Sequence, residues 1–214
     1  MSENKKISVA IDGPVGSGKS TISRKCAQRL GFIYVDTGAL YRALGVHFDG
    51  KEFCDNVSVD LKFVDGEQRV FVNDIDYTDK IRTPKASMLA SAISAKPEVR
   101  AFLLELQRSF ARENSVIMDG RDIGTVVLPN ADIKIFLTAA PEERARRRYD
   151  ELVLKGTQVE FEDVLADLVE RDYNDSHREH APLKQAEDAI VADTTGNTFE
   201  ESIEMIMRLI NDNR

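Results

Sequence analysis

Eight consecutive residues carry the clearest chemistry in the chain: Gly13-Pro14-Val15-Gly16-Ser17-Gly18-Lys19-Ser20, with Thr21 directly behind. They read G-x-x-x-x-G-K-S, and they sit where that motif works, after the apolar run Ile7–Ile11 and at the start of a helical pattern. Glycines at 13, 16 and 18 let the backbone curl until successive N–H groups face one point, a concavity that binds phosphate oxygens. The helix opening near Lys19 adds the positive end of its dipole. Lys19 can reach the β- and γ-phosphates of ATP, and the Ser20 hydroxyl can ligate Mg²⁺. A chance glycine-rich turn is the competing reading, and the flanking strand and helix weigh against it.

Two carboxylates could complete a metal shell. Asp119 ends the run Val116–Met118 and Asp36 ends Phe32–Val35, each where parallel sheets bind ligands. Each could equally be a turn aspartate. The rest of the polar inventory is rich in arginine: Arg42, Arg121, Arg171, Arg178, and the group Arg144, Arg146, Arg147 and Arg148. Transfer between two phosphates crowds negative charge into a small volume and needs positioning and neutralisation more than acid–base chemistry. Guanidinium forks grip phosphate bidentately and stay charged. The guanine signature Asn-Lys-x-Asp of GTPases is absent. A small-molecule kinase is therefore expected ahead of a switch or motor, with arginines in the charged 142–180 stretch alternatively pairing with Glu142 and Glu143.

These residues need a frame. Apolar runs at Ile7–Ile11, Phe32–Val35, Val116–Met118, Ile133–Leu137 and Ala189–Ala192 alternate with helical patterns, which predicts an α/β fold with a five-stranded parallel sheet flanked by helices. Helices are expected over Lys19–Leu30, ended by Gly31, and over Phe199–Ile210, with Ile203, Ile206, Met207 and Ile210 on one face. Leu61–Val64, Val70–Val72 and Ile75–Tyr77, joined by Asp65-Gly66 and Asn73-Asp74, predict an antiparallel meander. With helical segments near 84–95 and 98–112 it reads as an insertion at about 40–112. The densely charged stretch at about 142–180, broken near Gly156, reads as a helical lid. One domain over 1–214 is expected, its core at 1–39, 113–141 and 181–214.

A net charge of −8 disfavours nucleic acid. No apolar run reaches the length of a membrane span, and the polar leader Met1–Lys6 does not read as a signal peptide. Cys26 and Cys54 form no CxxC pair and read as reduced thiols. Cytoplasmic location and a monomer are the corresponding expectations. His177 and His180 lack companions for a zinc site, His47 is expected to pack on its helix, and Tyr34 and Tyr41 to line core or pocket.

The segments Ile11 through Thr21, Asp36-Thr37-Gly38-Ala39-Leu40-Tyr41-Arg42, Asp119-Gly120-Arg121-Asp122-Ile123-Gly124-Thr125-Val126-Val127 and Arg171-Asp172 to His180-Ala181-Pro182-Leu183 together resemble the bacterial cytidylate kinases, within the nucleoside monophosphate kinases. The resemblance runs over nearly the whole chain and implies a P-loop kinase fold in which the meander is an enlarged CMP-binding insertion. It implies phosphorylation of CMP and dCMP by ATP. Thr37, Arg42, Arg121 and Arg178 would hold the CMP phosphate, and Ser91, Arg100 and Asp122 would read cytosine, with Ser94 a rival to Ser91. Arg171 and Asp175 would lie near the sugar and Arg147 near the ATP phosphates; Tyr41 would belong to the pocket wall. Lys19, Arg121, Arg147 and Arg171 would carry the charge neutralisation. Independently of the family, a carboxylate such as Asp122 accepts from the cytosine amino group and would face a lone pair on uracil. Another small P-loop kinase, of shikimate or another monophosphate, and an ATP-binding regulator remain the alternatives.

Overall fold

A computed structural model describes residues 5–214; of the polar leader, residues 1–4 lie outside the described residues. Five parallel strands, β1 (Ser8–Asp12), β2 (Ile33–Asp36), β6 (Val116–Gly120), β7 (Ile133–Thr138) and β8 (Ile190–Asp193), form one sheet in the order β2-β6-β1-β7-β8. Period-two alternation sends neighbouring residues to opposite faces. Val9, Ile11 and Ile117 join α1 (Lys19–Leu30) and α7 (Phe199–Asp212) in one core, where Ile203, Ile206 and Ile210 are buried. Ala10, Val35 and Met118 face a second core built with α2 (Thr37–Phe48), α3 (Pro84–Ser94) and α4 (Pro97–Glu113). Cys26 lies in the first core, where burial pushes its thiol up to about 12. Cys54 is exposed and free.

Helix ends follow local rules. Gly31 stops α1 in the left-handed conformation, φ +69°, with its N–H on the Ala27 carbonyl. Thr198 and Glu201 cap α7 reciprocally. Strands β1, β2 and β6 each run one or two residues past the apolar stretch visible in sequence. Asp12, Asp36 and Asp119 consequently belong to the ladder, with Asp36 facing Asp119 and Asp12 facing Gly120 in register. Carboxylates thus converge on the carboxyl edge of the sheet.

The meander forms as β3 (Val59–Val64), β4 (Glu67–Val72) and β5 (Ile75–Asp76), antiparallel throughout. Both turns carry two residues at positive φ, Asp65-Gly66 and Asn73-Asp74, the geometry that matches strand twist. Its apolar face, Leu61, Val70 and Val72, is buried in the second core. His47 packs on α2 against the Phe48 and Tyr77 rings. The charged stretch folds as α5 (Pro141–Leu154) and α6 (Phe161–His177), which pack on each other and bury Ala145, Leu152, Val164 and Leu168.

The meander meets the five-stranded sheet at its edge. The Gln68 side-chain amide donates to the Asp36 carbonyl at 3.1 Å and accepts from the Asp36 N–H at 2.8 Å. A side chain here supplies the pairing that a sixth strand would give to β2. Gln68→Ala leaves both Asp36 backbone groups without these partners and should cost about 1–3 kcal/mol. Hydrogen exchange by NMR checks it: the Asp36 amide should lose protection while the β1 amides keep theirs, and unchanged protection at Asp36 would show the contact to be idle.

Candidate functional site

At the carboxyl edge lies an open cleft of about 570 Å³. Its floor is the phosphate loop and α1, from Val15 and Gly16 to Lys19 and Ser20. Gly13 is forced: a Cβ there would stand 2.0 Å from the Leu137 carbonyl oxygen of β7. Lys19 is buried, and its Nζ donates to the Pro14 carbonyl at 2.9 Å. Burial first, and the nearby Arg121 guanidinium second, push its ammonium down to about 7, while Asp119, Asp175 and Asp12 oppose the shift. A phosphate placed here would restore the charged form.

Beside Lys19, Asp119 accepts from the Ser20 hydroxyl at 2.7 Å and from the Tyr34 hydroxyl at 2.9 Å. Burial and the neighbouring Asp36 carboxylate push Asp119 up to about 6. A carboxylate so short of positive charge, with a hydroxyl in reach, fits Mg²⁺, which keeps most of its waters and takes few protein ligands. No cluster of three or more His, Cys, Asp or Glu suited to a metal occurs among the described residues. The two metal candidates therefore separate. Asp36 spends one oxygen capping α2 through the Ala39 N–H and the other on Arg42 at 2.6 Å, whereas Asp119 is the one beside Ser20.

The opposite wall of the cleft holds three arginines on two carboxylates. Arg121 Nε donates to Asp175 at 2.7 Å. Asp122, buried, is bonded by Arg100 and approached by Arg178 at 3.4 Å. Arg100 also lies over the Tyr41 ring, 5.6 Å from its centroid, and donates to the Ser94 carbonyl at 3.2 Å. The Thr37 hydroxyl donates to the Asp119 carbonyl. Arg171 forms no ion pair among the described residues; burial and the adjacent Arg121 lower its pKa. Asp175 is held low by Arg121, Arg178 and Arg171 against its own burial. Ser91 and Ser94 both line the cleft, and the Ser94 hydroxyl donates to the Ser91 carbonyl at 3.0 Å.

The structure thus brings Thr37, Tyr41, Arg42, Ser91, Arg100, Arg121, Asp122, Arg171, Asp175 and Arg178 to one cleft with Lys19, Ser20, Asp36 and Asp119. Arg147 is placed elsewhere. It pairs with Glu143, donates to the Thr194 carbonyl at 3.0 Å, and lines a second hollow of about 350 Å³ with Gly18, Thr21, Asn197 and Phe199. Ser17 is fully buried under the loop.

Several contacts around the site have no sequence motif. Arg144 and Asp172, from α5 and α6, pair at 2.5 Å and clamp one residue of the phosphate loop: Asp172 accepts from the Val15 N–H and Arg144 donates to the Val15 carbonyl. Asp12, directly before the loop, accepts from the Ile123 and Gly124 N–H groups. Arg144 stands in an arginine run that reads as lid surface, yet its side chain is 5% exposed. Only the long-range fold distinguishes it from Arg146.

Comparison with known proteins identifies the family. The family model of cytidylate kinase matches residues 9–212. The cytidylate kinase of Caldicellulosiruptor bescii is 50% identical over 96% of both chains. That of Geobacter sulfurreducens is 48% identical over 94% of this chain and 91% of its own. Among solved structures, a gluconokinase from Sinorhizobium meliloti aligns with a TM-score of 0.53 at 12% identity, covering 99% of this chain and 95% of its own, a likeness of fold alone. A family model that spans nearly all of the chain, with relatives at about half identity over more than nine-tenths of their length, places the protein in the cytidylate kinase family.

Proposed function

We propose that the protein transfers the terminal phosphoryl group of ATP to CMP or dCMP, giving ADP and CDP or dCDP. The observation that carries this reading is the continuity of one cleft, from Lys19 and Ser20 on the phosphate loop to the Arg100–Asp122–Arg178 cluster opposite, in a chain of the cytidylate kinase family. Donor phosphates would lie over the loop N–H groups against Lys19. The acceptor phosphate would lie between Thr37, Arg42, Arg121 and Arg178. Arg171, which has no ion pair among the described residues, stands near Arg121 and Asp175 and suits the charge that spreads over the transferring group.

Ser20 and Asp119 would hold Mg²⁺, which supplies neutralisation of the β- and γ-phosphate oxygens when bound. The second hollow, behind Gly18 and beside Arg147, has the place and the mixed lining for the adenine end of ATP. Residues 1–39, 113–141 and 181–214 would be the core, about 40–112 the acceptor insertion and about 142–180 the lid that keeps water from the phosphoryl group. Net charge −8 supports a partner list of small nucleotides without nucleic acid. No helix among the described residues is long and apolar enough to cross a membrane. A cytoplasmic monomer fits these features.

Base choice falls to Asp122. Two arginines fix its carboxylate while leaving lone pairs for a cytosine amino group. A shikimate acceptor would have no use for this carboxylate, and a regulator no use for the paired acceptor arginines. ADP release measured across CMP, dCMP, UMP, AMP, GMP and shikimate tests the reading. Turnover should be highest with CMP or dCMP, and preference for another acceptor, or no turnover at all, would refute it. In Asp122→Asn the kcat/KM ratio of CMP to UMP should fall by about tenfold, since an ion-assisted hydrogen bond becomes a neutral one and an amide donor can face the uracil carbonyl. An unchanged ratio with both substrates slowed alike would move base reading elsewhere.

A further inference from the structure

Arg121 and Asp122 sit on a short irregular segment, and something must hold it. The segment leaves β6 at Gly120 and enters a single wide turn over Ile123–Val127, closed by Val127 N–H to the Asp122 carbonyl and Leu128 N–H to the Ile123 carbonyl. Such i→i+5 turns are rare and concentrate at functional sites. Its far end is fixed by Arg108, which donates to the Val126 and Val127 carbonyls at 3.0 and 2.9 Å. Its near end has two N–H groups, of Ile123 and Gly124, that no turn of the same segment can satisfy.

Asp12 takes both. One carboxylate oxygen accepts from Ile123 at 2.8 Å and the other from Gly124 at 2.7 Å, with the side chain buried. The residue is the last of β1 and the phosphate loop begins at the next position. Gly120, its register partner on β6, is immediately before Arg121. One bidentate carboxylate therefore ties the strand that launches the donor loop to the segment that carries the acceptor side chains. Gly124 suits the contact, since a Cβ there would press on the Lys134 side chain at 3.2 Å.

We propose that Asp12 is a positioning residue for phosphoryl transfer: it locks the Arg121–Asp122 step to the phosphate loop, so that acceptor and donor are held at a fixed separation and angle. The proposal rests on the reading of Arg121 and Asp122 as acceptor-side residues. Asp12 lines neither hollow and acts through the backbone of residues 123 and 124. An error of about 1 Å in such alignment can cost on the order of 100-fold in rate.

Asp12→Asn keeps the size and removes one of the two acceptors, turning an amide N–H₂ toward a backbone N–H. Steady-state kinetics with ATP and CMP, and titration with a fluorescent ATP analogue, should show kcat lowered by at least about tenfold and the CMP-to-UMP ratio reduced. The affinity for the ATP analogue should stay within threefold, as the phosphate loop keeps its own bonds. Asp12→Glu, which retains charge and both oxygens but displaces them by one methylene, should lose kcat in the same way. Variants that melt lower yet keep wild-type kcat and base ratio would overturn the proposal, as would equal loss of ATP affinity or failure of both variants to fold, because each marks a merely structural carboxylate. Wild-type turnover with CMP, measured alongside, reports separately on the functional reading.

Discussion

Ten lysines and arginines line one cleft, among them Lys19, Arg42, Arg100, Arg121, Arg171 and Arg178, and keeping these six there against their own repulsion is the constraint on which the rest of the structure depends. Taking such charges out of water is costly unless each finds a partner. Asp36 holds Arg42, Asp175 holds Arg121, and Asp122 holds Arg100 and Arg178. Lys19 and Arg171 have no ion pair among the described residues, and burial lowers the pKa of both. Phosphates bound in the cleft would supply the missing charge, the arrangement that the proposed transfer calls for.

The fold delivers the partners from different elements. Parallel strands put Asp36 and Asp119 side by side at the sheet edge, α6 brings Asp175, and the wide turn after β6 brings Asp122. The Asp36–Gln68 and Val15–Asp172–Arg144 contacts stitch the meander and the charged helices to the same edge by hydrogen bonds between side chains and backbone. Side chains here complete the ladders and loops that the main chain leaves open.

Features with a short period were legible before any coordinates. The phosphate loop is contiguous, the buried strands are unbroken apolar runs, and Asp65-Gly66 and Asn73-Asp74 announce their turns because few other residues tolerate two positive φ angles in succession. Contacts that join distant segments were not. Asp12 and Gly124 are 112 positions apart, and Arg144 and Val15 are 129 apart. An aspartate before a glycine reads as a turn residue, and an arginine among arginines reads as surface. The charged 142–180 stretch also hid a buried side, because Leu152, Val164 and Leu168 are spread over two helices whose pairing no local pattern shows. Arg147 lies outside the main cleft for a related reason: consecutive residues of a helix face different directions, and Arg148 takes the cleft side.

The central claim is that one pre-charged cleft holds both phosphate chains at once. Calorimetry with a single molecule that joins cytidine and adenosine 5′ to 5′ through a polyphosphate tests it most directly, because only a continuous site can engage both ends. The account predicts one molecule bound per chain, at least about 100-fold tighter than CMP alone by the arithmetic of linked sites, and weaker binding when uridine replaces cytidine. Affinity no better than that of CMP, or indifference to the pyrimidine, would contradict it.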